Sequence, residues 1–244
     1  MSYIDLISSA IGTAVAEIIT LPICTIKTNY QTHLHYKSIF HTYKNIMNTY
    51  GIRGFYSALY SSLFSQVAST ATKFTFYSYI KNLRNTQQKD IKNNILNGAI
   101  GGIMSSIIVH PTDVCKVHQQ NNMSFINELR KIGPSLMYRG YSKSLAKNIF
   151  LTALIYPFYD FYTATFSNFF IAAILSSITV TLILHPIDYL KIRHISGQNL
   201  YLDYSSIPIY FKYYYRGLHI NLIRIIPHFM ITMFITENIK KKYT

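Results

Sequence analysis

Tryptophan is absent from the 244 residues, only two cysteines occur, and just 13% of the chain is charged. Cys24 and Cys115, so isolated, form neither a disulfide framework nor a CxxC metal knuckle, and read as small apolar residues within helices. A soluble domain carries about 25% charged residues, so this chain has roughly half the usual solvating charge. Of the charged residues the acids are the scarcer: nine, against 23 Lys and Arg, for a net charge of +14. No Gly-x-Ser-x-Gly, HExxH or phosphate-cradling loop occurs, which argues against an enzyme. Thr32-His33-Leu-His35 and His41 have no carboxylate or Cys at ligand spacing, so no metal or other cofactor is expected. Asp5 and Glu17 interrupt the first apolar stretch and no Arg-rich presequence precedes it, so no cleavable signal is expected.

What the chain has is apolar length: 50% of it is hydrophobic, with 22 Tyr and 15 Phe. Repeated long apolar runs point to a membrane protein and exclude disorder, coiled coil and collagen-like arrays. The basic excess calls for an anionic partner. Nucleic-acid binders gather charge in blocks on a polar face. Here the longest basic run is Lys240–Lys241–Lys242 and the other cations are scattered through apolar sequence. A nucleic acid is therefore not the expected partner.

The chain repeats itself, and a repeat outranks any single motif. Leu21-Pro22-Ile-Cys24-Thr-Ile-Lys27, His110-Pro111-Thr-Asp113-Val-Cys-Lys116 and His185-Pro186-Ile-Asp188-Tyr-Leu-Lys191 share one frame. Each has Pro, an acid position two residues on and Lys five residues on, with Cys24 in the first acid position. A second frame holds Tyr50-Gly51 to Tyr56, Ile132-Gly133 to Tyr138-Arg139-Gly140, and Tyr215-Arg216-Gly217. A third holds Tyr77-Ser78 to Lys81, Tyr159-Asp160 to Thr163, and Thr236-Glu237 to Lys240. Tyr56 to Tyr138 and Ser78 to Asp160 are both 82 residues; Tyr138 to Tyr215 and Asp160 to Glu237 are both 77. Two unrelated motifs that keep identical offsets establish a triplication, with units 1–86, 87–166 and 167–244.

Each unit reads as two long helices. The odd ones run from Tyr3 to Gln31, Ile91 to Gln120 and Ser167 to Ile195; the even ones from Ser57 to Leu83, Tyr141 to Thr165 and Leu218 to Lys240. All exceed the roughly 20 residues that cross a bilayer, and period-two alternation is absent, so the expected fold is all-α with six transmembrane helices. Small residues spaced by four (Ser8, Gly12, Ala16; Asn97, Gly101, Ser105; Ala172, Ser176, Val180) mark stripes where backbones approach closely. Pro22, Pro111 and Pro186 each remove a helical hydrogen bond and kink the odd helices. Three such helices about a pseudo-threefold axis converge at one end.

These residues resemble the mitochondrial carrier family, over essentially the whole chain. Its three repeats carry Pro-x-acid-x-x-base, then Gly-x-x-x-x-aromatic-base-Gly, then aromatic-acid-x-x-base. Tyr36-Lys37-Ser-Ile-Phe before Tyr50-Gly51 looks like the family's short matrix helix. Richness in Ile, Lys, Asn and Tyr suggests an AT-rich genome, such as that of a giant virus or a protist. The resemblance implies six tilted helices around a central cavity, and solute exchange across the inner mitochondrial membrane (the host's, for a viral protein). It also implies termini facing the intermembrane space, a monomer, and contact with membrane lipid, cardiolipin included.

The resemblance further implies that each acid on an odd helix pairs with the base on the next odd helix. Asp113 would meet Lys191 and Asp188 would meet Lys27, closing the matrix side. Cys24 would face Lys116, whose link is lost. Gln31 and Gln120 occupy positions from which the family braces its pairs, and Ile195 fills the third. On the cytoplasmic side the same rule joins Asp160 with Lys240 and Glu237 with Lys81, and leaves Ser78 opposite Thr163, both uncharged.

The family's contact residues lie midway on the even helices. Thirteen residues before each even-helix acid position stand Ser65, Lys147 and Arg224, with Lys73 and Asn148 nearby and Glu17 as the one deep acid. Converging cations favour an anionic solute. Arg224 offers a bidentate fork and Lys147 a point charge. A nucleotide, exchanged by antiport, is favoured because its ring can lie against an aromatic such as Tyr156. The family's ADP/ATP carriers have three Arg and three Met after the third motif; Lys191-Ile-Arg193-His-Ile-Ser196 stands here. Another phosphorylated or carboxylate solute is the alternative. A third reading, a degenerate scaffold, draws on Cys24 and on a Pro-to-Pro spacing that shortens from 89 to 75 residues.

Overall fold

A computed structural model describes residues 3–84, 91–166, 168–198 and 213–243. Helices dominate: α1 Tyr3–Thr32, α2 Ile39–Phe55, α3 Leu59–Leu83, α4 Ile91–Gln120, α5 Phe125–Ile132, a 3₁₀ turn Pro134–Tyr138, α6 Tyr141–Phe166, α7 Phe169–Ile195 and α8 Leu218–Tyr243. The starts have local causes. Ser38 and Ser124 accept the His41 and Asn127 amides at the heads of α2 and α5, and Asn168 accepts those of Phe170 and Ile171 at the head of α7. These are N-cap hydrogen bonds, which satisfy donors that a helix start leaves orphaned.

Six helices of 25 to 30 residues form the body. Each packs on two neighbours in the order α1–α3–α4–α6–α7–α8 and back to α1. The odd helices α1, α4 and α7 also touch one another. Three helices, among the described residues, have an apolar stretch long enough to cross a membrane: α1 over Ile7–Thr32, α7 over Phe170–Ile195 and α8 over Leu218–Thr236. Large apolar side chains stand exposed on all six, for example Ile19, Phe64, Ile108, Phe150, Ile183 and Phe234.

The small-residue stripes are buried. Ser8, Ala16, Asn97, Ser105, Ala172, Ser176 and Val180 are each at most 1% exposed. At Gly12 the helices approach closely: a Cβ there would lie 2.8 Å from the Thr232 carbonyl oxygen on α8. Pro22, Pro111 and Pro186 sit inside α1, α4 and α7, and Pro157 and Pro227 inside α6 and α8, two positions that the repeat frames did not single out.

Between the long helices the repeats reuse one corner. His110 and His185 each hold a ring nitrogen 3.1 and 3.2 Å from the Arg139 and Arg216 carbonyls. Gly140 and Gly217, the next residues, both turn through positive φ, a region open to glycine at no steric cost. Arg216 then reaches back to the end of α1, donating to the carbonyls of Tyr30 (2.7 Å), His33 (3.2 Å) and Tyr36 (2.5 Å). It thereby satisfies the Tyr30 carbonyl, which the helix end leaves open, and two in the turn that follows, and its guanidinium lies 4.0 Å from the Tyr30 ring centroid.

Candidate functional site

Five residues past the proline of each odd helix comes a lysine, and the convergence of α1, α4 and α7 brings all three inward. Lys191 of α7 reaches Asp113 of α4 at 3.0 Å, and Lys27 of α1 reaches Asp188 of α7 at 2.5 Å. Lys116 of α4 meets Glu17 of α1 at 2.6 Å. The lysine of each repeat thus pairs with an acid of the repeat before it, around a closed cycle.

Each acid has a second partner on an even helix. Ser65 of α3 donates to Asp113 at 2.6 Å, Lys147 of α6 binds Asp188, and Arg224 of α8 stands 3.8 Å from Glu17. Asn221 supplies Lys27 with a further acceptor at 3.1 Å. Five cations face three carboxylates in this cluster, an excess of two positive charges. Burial makes each charge expensive unless paired, and Glu17 is only 2% exposed.

Several sequence expectations change. Lys116 has a partner: Cys24 does not supply it, but Glu17 does, seven residues earlier on α1. Glu17 therefore sits in the ion-pair ring rather than on the cavity wall. Gln31 and Gln120 do not bond to the paired ions; Gln31 donates to the Arg216 carbonyl at 3.0 Å and Gln120 accepts from Thr28 at 2.7 Å. Ile195 packs with Val114, Val117, Leu136 and Ile192 in an apolar cluster. Ser65 serves Asp113, and Asn148, half-buried beside Lys147, lies off the cavity lining. The side chains of Lys73, Ser78, Lys81, Tyr156, Asp160, Glu237 and Lys240 lie outside the described residues. Thr163 donates to the Tyr159 carbonyl at 2.8 Å.

A cavity of about 350 Å³ opens along the seam of α7 and α8, where the ring of helices is packed least tightly. Lys147, Asp188, Asn221 and Arg224 form its charged end. Further along lie Thr13, Ser177, Thr181, His228, Phe229 and Thr232. His228 holds a ring nitrogen 3.3 Å from the Thr20 hydroxyl. Such a space, apolar-walled with convergent polar groups at one end, is the ordinary form of a small-molecule site.

Sequence reasoning passed over Asn221, His228 and Phe229. Asn221 carried a signal: Ser62, Ser144 and Asn221 are separated by the same 82 and 77 residues as the motifs, and all three are buried. His228 and Phe229 had none, because only the helix packing brings them to the cavity wall.

Comparison with known proteins gives a consistent result. The profile of the family described as "Mitochondrial carrier protein" matches three times, over residues 2–88, 87–169 and 162–244. A mitochondrial carrier-like protein of Acanthamoeba polyphaga mimivirus is 42% identical over 98% of this chain and 97% of its own. A mitochondrial glycine transporter of Xenopus tropicalis is 34% identical over 43% of this chain and 37% of its own. The mitochondrial substrate carrier family protein ucpB of Dictyostelium discoideum is 23% identical over 93% of this chain and 91% of its own.

Proposed function

We propose, for a chain that belongs to the mitochondrial carrier family and is therefore a membrane transporter of small solutes rather than an enzyme, that its solute is a small organic anion moved by alternating access. The observation that carries this reading is the excess of two positive charges in the ion cluster, two of whose cations, Lys147 and Arg224, line the cavity. An anion is the solute that such a field attracts and orients.

In this reading α1, α3, α4, α6, α7 and α8 all span the inner mitochondrial membrane, with exposed apolar residues toward lipid. The pairs Lys191–Asp113 and Lys27–Asp188 latch the matrix mouth. The cytoplasmic latch consists of Asp160, Lys240, Glu237 and Lys81, with Ser78 and Thr163 as its uncharged link. An exposed ion pair contributes up to about 1 kcal/mol, and a partly buried one more against its desolvation. A few such pairs on each side bias the two states by a few kcal/mol, a scale that a ligand with unequal affinity for them overcomes. A solute anion that takes Lys147 and Arg224 from Asp188 and Glu17 weakens the matrix latch as it binds. That coupling makes movement of the empty carrier slow and exchange fast.

Among anions we favour a nucleotide. Its phosphates suit Arg224 and Lys147, and its ring suits Phe229 and His228, between one and two turns beyond Arg224 on α8. A second reading, a zwitterionic amino acid, is favoured by the presence of Asp188 beside the two cations in one cavity and by the similarity to a glycine transporter. Counter-exchange in proteoliposomes separates these. Internal unlabelled solute is challenged with labelled nucleotides, carboxylates and amino acids in turn. Exchange of nucleotides supports the first reading, exchange confined to amino acids the second, and exchange of none leaves a scaffold.

A further inference from the structure

We infer that Glu17 is the third matrix latch, carrying on α1 the carboxylate that the Cys24 position lacks. The inference rests on the latch reading above and extends it to a residue outside every repeat motif.

The cyclic pairing leaves one vacancy. Lys191 and Lys27 meet the motif acids Asp113 and Asp188, and by the same rotation Lys116 should meet residue 24, a cysteine. It meets Glu17 at 2.6 Å instead. Seven residues are two helical turns, about 10 Å along the axis with almost no change of face. The flexible lysine stem and the glutamate side chain together cover that displacement. Glu17 therefore presents its charge to α4 from the same side of α1 as the motif position.

A second observation is independent of the lysine. Both motif acids take a donor from the even-helix position thirteen residues before the third motif: Ser65 for Asp113 and Lys147 for Asp188. The third residue in that series, Arg224, stands 3.8 Å from Glu17. Glu17 thus has the full set of partners of a motif acid, in the same rotational order. Chance placement of a buried acid would not reproduce both.

The displacement has a consequence. Glu17 stands two turns before the motif position on α1 and, like Asp188, beside a cation of the cavity wall. A solute anion that engages Arg224 removes one of Glu17's two cations directly, so this latch responds to occupancy before the helices move.

The test uses the reconstituted full chain in a C115A background, with Cys24 as reporter. A membrane-impermeant maleimide is applied from the matrix-facing side of uniformly oriented liposomes. D188N serves as the latch control. E17Q and K116Q are each expected to raise the labelling rate about fivefold, and E17Q/K116Q no further, because the two members of one pair are not additive. The shorter carboxylate in E17D should give an intermediate rate, and it decides the matter if E17Q does not fold. Thermal stability lost in E17Q should be regained in E17Q/C24D, which returns the charge to the motif position. Parental labelling in E17Q, or in E17D where E17Q does not fold, with faster labelling in D188N overturns the role of Glu17 alone. Parental labelling in D188N as well overturns the latch reading itself.

Discussion

Lys27 and Asp188, 161 residues apart in sequence, meet at 2.5 Å with less than a tenth of either side chain exposed. Asp188 also holds Lys147, so one carboxylate joins the mouth of the bundle to the wall of its cavity. Asp188→Asn leaves buried Lys27 with only Asn221 and takes the carboxylate from Lys147 as well, and removing one partner of a buried pair costs about 3–5 kcal/mol. Asp113, whose side chain is 30% exposed, is screened by water. The melting temperature in detergent should therefore fall much further for D188N than for D113N. Equal shifts would contradict the burial argument.

Lys147→Ala together with Arg224→Ala should leave a folded protein, because Asp188 keeps Lys27 and Glu17 keeps Lys116. Charge-assisted hydrogen bonds contribute about 1.5–3 kcal/mol each, so losing both should slow exchange at least about 100-fold. Circular dichroism verifies the fold and counter-exchange the loss. Undiminished exchange would move the solute site elsewhere.

Gly12→Leu should separate α1 from α8. Even a Cβ at Gly12 meets the Thr232 carbonyl at 2.8 Å and the Thr236 hydroxyl at 2.9 Å. Overpacking of this kind costs about 1–3 kcal/mol or more. Gly101→Leu, on the corresponding buried stripe of α4, gives the parallel measurement, and thermal unfolding in detergent reads both.

Arg216→Ala should destabilise the protein by about 2 kcal/mol, since one guanidinium serves three carbonyls at the end of α1. Arg216→Lys should recover only part of this. An ammonium lacks the planar fork and the stacking on Tyr30. Denaturant midpoints of the three proteins give the order.

His33, just beyond α1, has a pKa below the usual histidine value, first because of burial and then because His35 and Arg193 are close. It therefore stays neutral in the folded chain at pH values where the unfolded chain takes up a proton. Stability is fully present above about pH 6.5 and falls as pH drops below it. His33→Gln should flatten that acid limb of a melting-temperature profile between pH 8 and 5.

Helix length, proline position and repeat offsets were legible in the sequence because they are periodic: the six long helices begin and end within three residues of the segments read from it. The lysines and the motif acids were legible for the same reason, whereas their pairing was not a matter of spacing: Lys191–Asp113 and Lys27–Asp188, which stand in contact, are the pairs that the family resemblance implied. The partner of Lys116 was not legible. The resemblance set Lys116 opposite the Cys24 position, whereas the folded chain pairs a lysine with whichever carboxylate lies within reach, and Glu17 does so from two turns away. The cavity was equally hidden, since its wall draws on α1, α6, α7 and α8 at once. Local spacing along the chain determined the elements and their order; three-dimensional packing alone decided which buried charge neutralises which, because electrostatic cost depends on distance through space and not on separation in sequence.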